Sequence, residues 1–119
     1  MIEVTPNSDL WLMARTNETP GDRLRGLWGK LSPLPGGRWI FSRLIGLMVP
    51  YTHSIRSTVV DFEPGHARVL LRDRRRVRNH LGSVHAIALA NVGELATGLS
   101  LISGLGVELR AILTSLDIR

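Results

Sequence analysis

The sequence AIALANVGELATGLSLISGLGV, residues 86–107, decides the fold of this chain. It runs for 22 residues with one charged side chain, that of Glu94. Its length and composition predict a long apolar helix over residues 83–103, which Gly104 and Gly106 end. A carboxylate that stays charged and unpaired in a protein core costs several kcal/mol of stability. We therefore expect Glu94 to be functional, paired or neutralised.

Polar residues recur at every third position of the predicted helix and form a slanted stripe across it: Asn91, Glu94, Thr97 and Ser100. Two glycines of the same helix, Gly93 and Gly98, each lower its propensity by about 1 kcal/mol relative to alanine. We therefore expect a second helix or a ligand to pack closely against the helix at these glycines.

The segment that leads into the helix, residues 79–85, contains Gly82 and Ser83 followed by His85. The first turn of a helix has free backbone N–H groups, and the helix dipole attracts negative charge there, so an oxyanion can bind at this end. Glu94 lies about 13 Å further along, at 1.5 Å per residue. If Glu94 and the helix N-terminus serve one reaction, a second subunit must contribute one of them.

Before the helix, the sequence predicts an antiparallel hairpin. Branched and aromatic residues over 55–62 are followed by the turn Glu63-Pro64-Gly65-His66 and by alternating residues over 67–71. Residues 108–119 are predicted to form a third strand. A long helix against an antiparallel sheet is an α+β architecture. Three strands leave much of this helix uncovered, so we expect either a partner chain or a sheet truncated at the C-terminus.

The N-terminal part of the chain is predicted to be helical. Helices are expected over residues 7–16, 22–31 and 38–49, with a Pro- and Gly-rich stop at residues 32–37 and a second stop at Pro50. We expect these segments, residues 1–50, to precede the main core, residues 51–119, within one domain.

Composition and charge exclude several classes of protein. The chain has 119 residues and no cysteine, so it fits one domain without disulfides or thiolate metal ligands. Its four histidines have no metal-binding spacing, and we predict no metal site. Residues 1–17 lack the pattern of a signal peptide, and we predict a cytoplasmic protein. The net charge of +5, from fourteen arginines and one lysine against ten acids, is compatible with anionic partners.

The apolar run is long enough to cross a bilayer. Glu94 near its centre costs about 3 kcal/mol on insertion scales, and Asn91, four glycines and several hydroxyl groups lower its hydrophobicity further. We therefore predict that the chain has no membrane span.

The entry segment and the helix together resemble the signature of hotdog-fold acyl-CoA thioesterases of the phenylacetate-pathway type. That signature has an Asn, a Gly three residues later, a His-Gly-Gly triplet and an acidic residue nine after the His. Asn79, Gly82, His85 and Glu94 keep those spacings. Residues 38–119 also resemble an uncharacterised hotdog-domain family, through Pro50-Tyr51-Thr52, Pro64-Gly65 and Arg78-Asn79-His80.

This resemblance implies a hotdog fold, in which a curved antiparallel sheet wraps a long central helix and two subunits join their sheets into a homodimer. The dimers of such proteins can pair into a homotetramer, and each active site lies at the dimer interface. The implied activity is hydrolysis of an acyl-CoA or acyl-carrier thioester, with coenzyme A present as part of the substrate and no separate cofactor. The family continues for about two more strands, so the resemblance also implies that C-terminal strands are missing.

The resemblance also implies roles for individual residues. Glu94 is the general base or nucleophile, and the backbone N–H near Ala86 binds the oxyanion. Asn79 and His85 position water or the thioester, and Ser115 falls where some relatives place a hydroxyl that orients water. The alternative for Asn79 and His85, which the sequence favours equally, is a purely structural hydrogen bond at the helix entry.

One departure from the family pattern bears on activity. The His-Gly-Gly triplet is His85-Ala86-Ile87 here. Alanine at position 86 keeps the backbone N–H that would bind the oxyanion, as glycine does. The bulk of Ile87, however, narrows the path by which a thioester carbonyl would reach that N–H. The alternative function is therefore a hotdog module that binds acyl-CoA or an acyl carrier without catalysis.

A run of arginines precedes the entry segment and is predicted to bind the phosphates of coenzyme A: Arg74, Arg75, Arg76 and Arg78. The guanidinium fork matches phosphate oxygens, and the run leads directly into the predicted active-site turn. The alternative is a solvated strand end. Nucleic acid is not the expected partner, because the run has no interleaved aromatic residues.

Overall fold

The computed structural model describes residues 18–106 and 109–117. Its elements follow in the order α1 (Pro20–Leu31), α2 (Gly37–Met48), α3 (Pro50–His53), β1 (Thr58–Glu63), β2 (His66–Leu70) and α4 (Ala86–Gly104). A 3₁₀ turn at Arg75–Val77 precedes α4. The predicted α+β class is therefore confirmed. The helix predicted over residues 7–16 lies outside the described residues.

Helix α1 begins with a capping box. The Thr19 hydroxyl accepts a hydrogen bond from the Asp22 backbone N–H at 2.9 Å, and the Asp22 carboxylate accepts one from the Thr19 backbone N–H at 2.8 Å. Pro20 takes the first helical position, where its missing N–H costs nothing. The helix therefore starts two residues earlier than the sequence pattern predicted.

Helices α2 and α3 follow without a long break. A Cβ on Gly37 would lie 1.7 Å from the Leu31 carbonyl oxygen, so only glycine allows the chain to turn so closely from α1 into α2. The predicted end of the helix before Pro50 is confirmed, since α2 stops at Met48, and Pro50 then occupies the first turn of α3. The reason is the same as at Pro20, since proline is favoured at the start of a helix.

The predicted hairpin is confirmed. Strands β1 and β2 are antiparallel, with Thr58 opposite Leu70 and Glu63 opposite His66, and the register shifts between Val59 and Asp61. Gly65 supplies the left-handed φ of 73° that the connecting turn requires.

The predicted third strand is wrong for the residues that the structure describes. Residues 109–117 have no regular secondary structure, and the sheet formed by the described residues has two strands. A strand exists only where its backbone groups pair with a neighbouring edge, and this segment pairs with neither β1 nor β2. The hairpin therefore packs against one side of α4 and does not wrap it.

The main hydrophobic core joins three helices and the first strand of the hairpin. It is built from buried side chains of α1, α2, β1 and α4: Leu24, Phe41, Ile45, Val59, Phe62 and Leu99. Trp28 of α1 packs edge-on against Phe41, with ring centroids 5.0 Å apart. A second, smaller cluster of Ile55, Val77 and Ala88 sits at the N-terminal end of α4 and positions that end beside α3.

Helix α4 is covered on one face only. Ala88, Asn91, Leu99 and Ser103 are buried and form what we call the covered face. Ile87, Glu94, Thr97 and Leu101 form the exposed face. Among the described residues, α4 is the one helix long and apolar enough to cross a membrane, a test that core helices also pass. Glu94 at its middle weighs against a membrane span.

Candidate functional site

The N-terminal end of α4 is held by the side chain of His85. The Nδ1 of this imidazole accepts a hydrogen bond from the Ile87 backbone N–H at 3.1 Å, and the backbone N–H of His85 donates to the Val77 carbonyl at 2.7 Å. This cap starts the helix at Ala86, three residues later than the sequence predicted. Because Nδ1 accepts, the neutral imidazole carries its proton on Nε2. His85 is exposed, so this second nitrogen is available to donate to a ligand.

Asn79 closes the turn that leads into α4. Its Oδ1 accepts from the backbone N–H groups of Leu81 at 2.9 Å and Ser83 at 3.2 Å, and its Nδ2 donates to the Ser83 hydroxyl at 2.9 Å. Gly82 supplies the left-handed φ of 82° that this turn requires. The carboxamide of Asn79 is therefore engaged in shaping the helix entry, which gives this residue a structural role in the single chain.

A cleft of about 520 Å³ opens at this end of the helix, between α3, the 3₁₀ turn and the first two turns of α4. Ile55, Val77 and Ala88 give it an apolar lining, and His85 and Asn91 add polar groups. A concave site with apolar walls and a few polar groups is typical of small-molecule binding. No acceptor among the described residues binds the backbone N–H of Ala86, so the first turn of α4 keeps a free donor.

Asn91 is the cleft residue that sequence reasoning missed. Its side chain is 4% exposed, and Nδ2 donates to the Tyr51 carbonyl at 3.4 Å. Its Oδ1 is buried and has no hydrogen-bond partner within the described part of the chain. A buried acceptor without a donor is costly, so a ligand that brings an N–H or O–H group gains a partner here. The sequence placed Asn91 in the polar stripe but had no signal for the cleft.

Within the single chain, the core does not enclose Glu94. Its side chain is exposed, and no hydrogen bond or ion pair to it occurs within residues 18–106 and 109–117. The reason is that α1 and the hairpin cover the other side of α4. Ile87 and Leu101, seven residues before and after Glu94, flank it along the same exposed face.

The glycines of α4 have open surroundings. A Cβ on Gly93 or Gly98 would meet no atom within 4 Å. The expected close contact at these positions is therefore absent from the described chain. Thr97 and Ser100, the remaining members of the polar stripe, donate to backbone carbonyls of their own helix, so neither hydroxyl binds the Glu94 carboxylate.

Ser115 lies apart from the cleft. It is exposed, belongs to the irregular segment of residues 109–117, and does not line the cleft. The structure thus places His85 and the Ala86 backbone at the cleft, and Asn79 in the turn before them. Glu94 lies further along the helix, and Ser115 is outside the site. Among the described residues, no group of three His, Asp or Glu side chains converges as metal ligands.

The four predicted phosphate-binding arginines have different surroundings. Arg78 makes a bidentate pair with Asp73, at 2.7 and 2.9 Å. This hydrogen bonding lowers the pKa of the Asp73 carboxyl and raises the pKa of the Arg78 guanidinium. Arg74 donates to the carbonyls of the turn that ends α3. Arg75 and Arg76 are exposed, and Arg76 lines the cleft with Arg78.

Comparison with known proteins relates the chain to a family. A family model described as "Domain of unknown function (DUF4442)" matches residues 37–119. The crystal structure of genomics APC5556 is similar, with 38% sequence identity and a TM-score of 0.57, and the alignment covers 69% of this chain and 54% of that one. The chain thus spans about half the length of that structure. No protein with a curated description matches it.

Proposed function

This chain belongs to the DUF4442 family, which is hotdog-like, and from that premise we propose that two copies of it form a hotdog dimer that hydrolyses an acyl-CoA-type thioester. One observation carries the proposal. The two groups that hydrolysis requires, an oxyanion donor and a base, both lie on α4 and are accessible to solvent. The donor is the helix N-terminus at the cleft, and the base is Glu94 on the exposed face. They are separated by about 13 Å along the helix axis.

That separation makes a second copy necessary. If two α4 helices pack antiparallel through their exposed faces, Glu94 of one copy approaches the α4 N-terminus of the other. In that register Ile87 of each copy lies beside Glu94 of the other, and Leu101 reaches the partner's turn before α4. The open surfaces at Gly93 and Gly98 permit close approach of the backbones. The resulting site buries Glu94, which is the environment that a general base requires.

The chemistry then follows from the groups present. The carboxylate of Glu94 takes a proton from water, and the hydroxide attacks the carbonyl carbon of the thioester. The negative charge that develops on the carbonyl oxygen is stabilised by the Ala86 N–H and the dipole of α4, with Nε2–H of His85 as a further donor. The C–S bond breaks, and the leaving thiolate receives the proton, which yields the acid and the free thiol. Direct attack by Glu94 is the second route; it forms an anhydride that water hydrolyses.

Substitution of Glu94 tests the proposal most directly. Glu94→Gln keeps the shape of the side chain and removes its basicity, so hydrolysis of a panel of acyl-CoAs of graded chain length should fall about 10²- to 10⁴-fold. Glu63→Gln, at an exposed carboxylate on the hairpin, is the matched control and should hydrolyse at the parent rate. If Glu94→Gln and the parent turn over every substrate equally, Glu94 is not the catalytic group.

The alternative is a module that binds acyl-CoA or an acyl carrier and releases it unchanged. Ile87 favours this reading, because its side chain is 56% exposed and lines the cleft where the family pattern has glycine. Tight binding of acyl-CoAs without turnover at any chain length would support the module. Ile87→Gly in that case should leave turnover absent, whereas a hindered hydrolase should become faster.

The number of subunits and the cellular location stay predictions. Molar mass in solution distinguishes a monomer from the proposed dimer and from a dimer of dimers. The predicted cytoplasmic location rests on the sequence pattern alone, and fractionation of cells that express the protein checks it.

A further inference from the structure

Three arginines converge on the turn between α3 and β1. Arg43 of α2 donates from Nη2 to the Ser57 carbonyl at 2.8 Å. Arg74 donates from Nη2 to the carbonyls of Ile55 at 3.2 Å and Arg56 at 2.7 Å. Two guanidinium groups therefore bind the same three-residue turn, residues 55–57, that carries the side chain of Arg56. Arg56 itself has a left-handed backbone conformation, with φ of 46°. This conformation costs conformational energy in any residue other than glycine.

This concentration of positive charge lacks a counterion in the described chain. The ion pairs found within residues 18–106 and 109–117 are Arg25–Asp22, His66–Asp61 and Arg78–Asp73, and none includes the three arginines of the turn. Burial lowers the pKa of the Arg43 guanidinium, and the charges of Arg56 and Arg74 lower it further. The three groups therefore repel one another, and a bound anion relieves that repulsion.

A small cavity beside the same turn contains polar atoms without partners. Its volume is about 10 Å³, and Arg43, His53 and Arg56 are among its lining residues. Nε of Arg43 and Nδ1 of His53 are both buried without a hydrogen-bond partner in the described chain. A space of this size holds about one water molecule or one oxygen atom of a larger group. Both nitrogens can donate to such an oxygen when His53 carries its proton on Nδ1.

Neighbouring residues hold these groups in place. A Cβ on Gly46 would lie 2.5 Å from Nδ1 of His53, so glycine leaves the room that the imidazole occupies. The Arg43 guanidinium also lies 5.8 Å from the centre of the Trp39 ring, in a cation–π contact. The arginine is thus held on one side by an aromatic ring and on the other by a carbonyl, which orders it before any ligand arrives.

We propose that Arg43, Arg56 and Arg74, together with His53, form a binding site for a phosphate-type oxyanion, present as the free ion or as the phosphate group of a larger ligand. One oxygen of the anion occupies the small cavity, and the others face the guanidinium groups. Guanidinium donors and a doubly charged oxyanion match in geometry and in charge. The site does not depend on thioester hydrolysis, since it uses neither Glu94 nor the N-terminus of α4.

Binding of inorganic phosphate is the direct test. Calorimetric titration and thermal unfolding, at constant ionic strength with chloride as the balancing ion, should show phosphate binding and a rise in melting temperature that chloride does not produce. Arg56→Gln should weaken phosphate binding about 10- to 100-fold, because one charge-assisted hydrogen bond is lost. The same variant without phosphate should melt at or above the parent temperature, since one repelling charge is removed.

Arg38→Gln is the matched control, because Arg38 is an exposed arginine of α2 outside the cluster. It should bind phosphate like the parent. Adenosine monophosphate identifies the source of the phosphate group, with adenosine as the control that lacks it. Tighter binding of adenosine monophosphate than of inorganic phosphate indicates a larger phosphorylated ligand, and equal binding of the two indicates the free ion. Absence of phosphate binding by the parent, or equal losses in Arg56→Gln and Arg38→Gln, would overturn the proposal. Neither result bears on the Glu94 assignment, which turnover measures separately.

Discussion

The two faces of α4 have similar apolar composition and opposite surroundings. On the covered face, Leu99 is 5% exposed and Ser103 1% exposed, whereas on the exposed face Ile87 and Leu101 keep about half of their surface in solvent. Large apolar side chains gathered around a carboxylate on an open helix face usually mark an interaction surface. Within the described residues, folding therefore uses only one face of this helix, and the other face stays open, as the proposed dimer requires.

The covered face is also held by specific hydrogen bonds at one end. The Ser103 hydroxyl accepts from the Gly65 backbone N–H at 2.8 Å, which ties the end of α4 to the hairpin turn. Its one hydrogen lies within reach of two carbonyls, that of Ser100 at 2.7 Å and that of Glu63 at 3.0 Å. Arg25 of α1 donates to the Ser103 carbonyl. Helix α4 is therefore fixed relative to the hairpin and α1, and this fixes the direction in which Glu94 is presented.

The largest effect on folding is expected from leucine truncation on the two faces. Leu99→Ala removes a side chain of the main core and should lower the free energy of unfolding by about 2–5 kcal/mol. Leu101→Ala, the matched change on the exposed face, should alter it by no more than about 0.5 kcal/mol in dilute protein. Urea denaturation measures both, and equal losses would contradict the division of α4 into two faces.

The same Leu101→Ala variant tests whether the exposed face of α4 mediates self-association. If the exposed face contacts a second copy, loss of this apolar side chain should shift the monomer–dimer equilibrium toward monomer, whereas Leu99→Ala acts first on folding. Sedimentation equilibrium over a range of concentrations detects the shift. An unchanged dimer in Leu101→Ala would place the interface elsewhere.

A smaller loss is expected at the end of the covered face. Ser103→Ala removes the acceptor of the Gly65 N–H in a partly buried contact and should cost about 0.5–1.5 kcal/mol. Ser100→Ala is the control, because its hydroxyl donates only to a carbonyl of its own helix, and it should change stability little. If thermal unfolding finds the two variants alike, the hydrogen bonds of Ser103 do not hold the hairpin to α4.

The smallest effect concerns acid stability at the start of α1, which packs on the covered face. Hydrogen bonds from Thr19 lower the pKa of the Asp22 carboxyl below its ordinary value of 3.8, and Arg25 adds to this shift. A carboxyl with a lowered pKa stabilises the fold above the ordinary value, and this contribution is lost as the pH falls through the folded value. Asp22→Asn should therefore flatten the decline of the melting temperature below about pH 4. Glu18→Gln, outside the capping box, should leave that slope unchanged.

The helices and the hairpin were predictable because their signals are local. Alternation over residues 67–71 and the turn at Gly65 indicated the hairpin, and the apolar run indicated α4. The boundaries were harder, because they depend on which side chain caps a helix. His85 caps α4 with an imidazole nitrogen, a role more common for Ser, Thr, Asp and Asn, and so moves the start to Ala86.

Half of the candidate site could be predicted in the same way. The spacing of Asn79, Gly82 and His85 indicated a shaped helix entry, and these residues do form it. Asn91 and Arg43 were missed, because their importance comes from neighbours distant in sequence, the Tyr51 carbonyl for one and the turn at residues 55–57 for the other. No local pattern encodes such contacts.

The amino-acid sequence by itself determined the long apolar helix, the hairpin and the single carboxylate on that helix, because each follows from periodicity and turn chemistry within a few residues. Only the tertiary structure decided that Glu94 lies on the uncovered face and that residues 109–117 form no strand. The physical reason is that periodicity places residues on a common face of a helix, whereas burial of that face depends on which other elements pack against it. Because apolar residues occur on all sides of α4, its sequence does not determine which face is buried, and the elements that pack against it do.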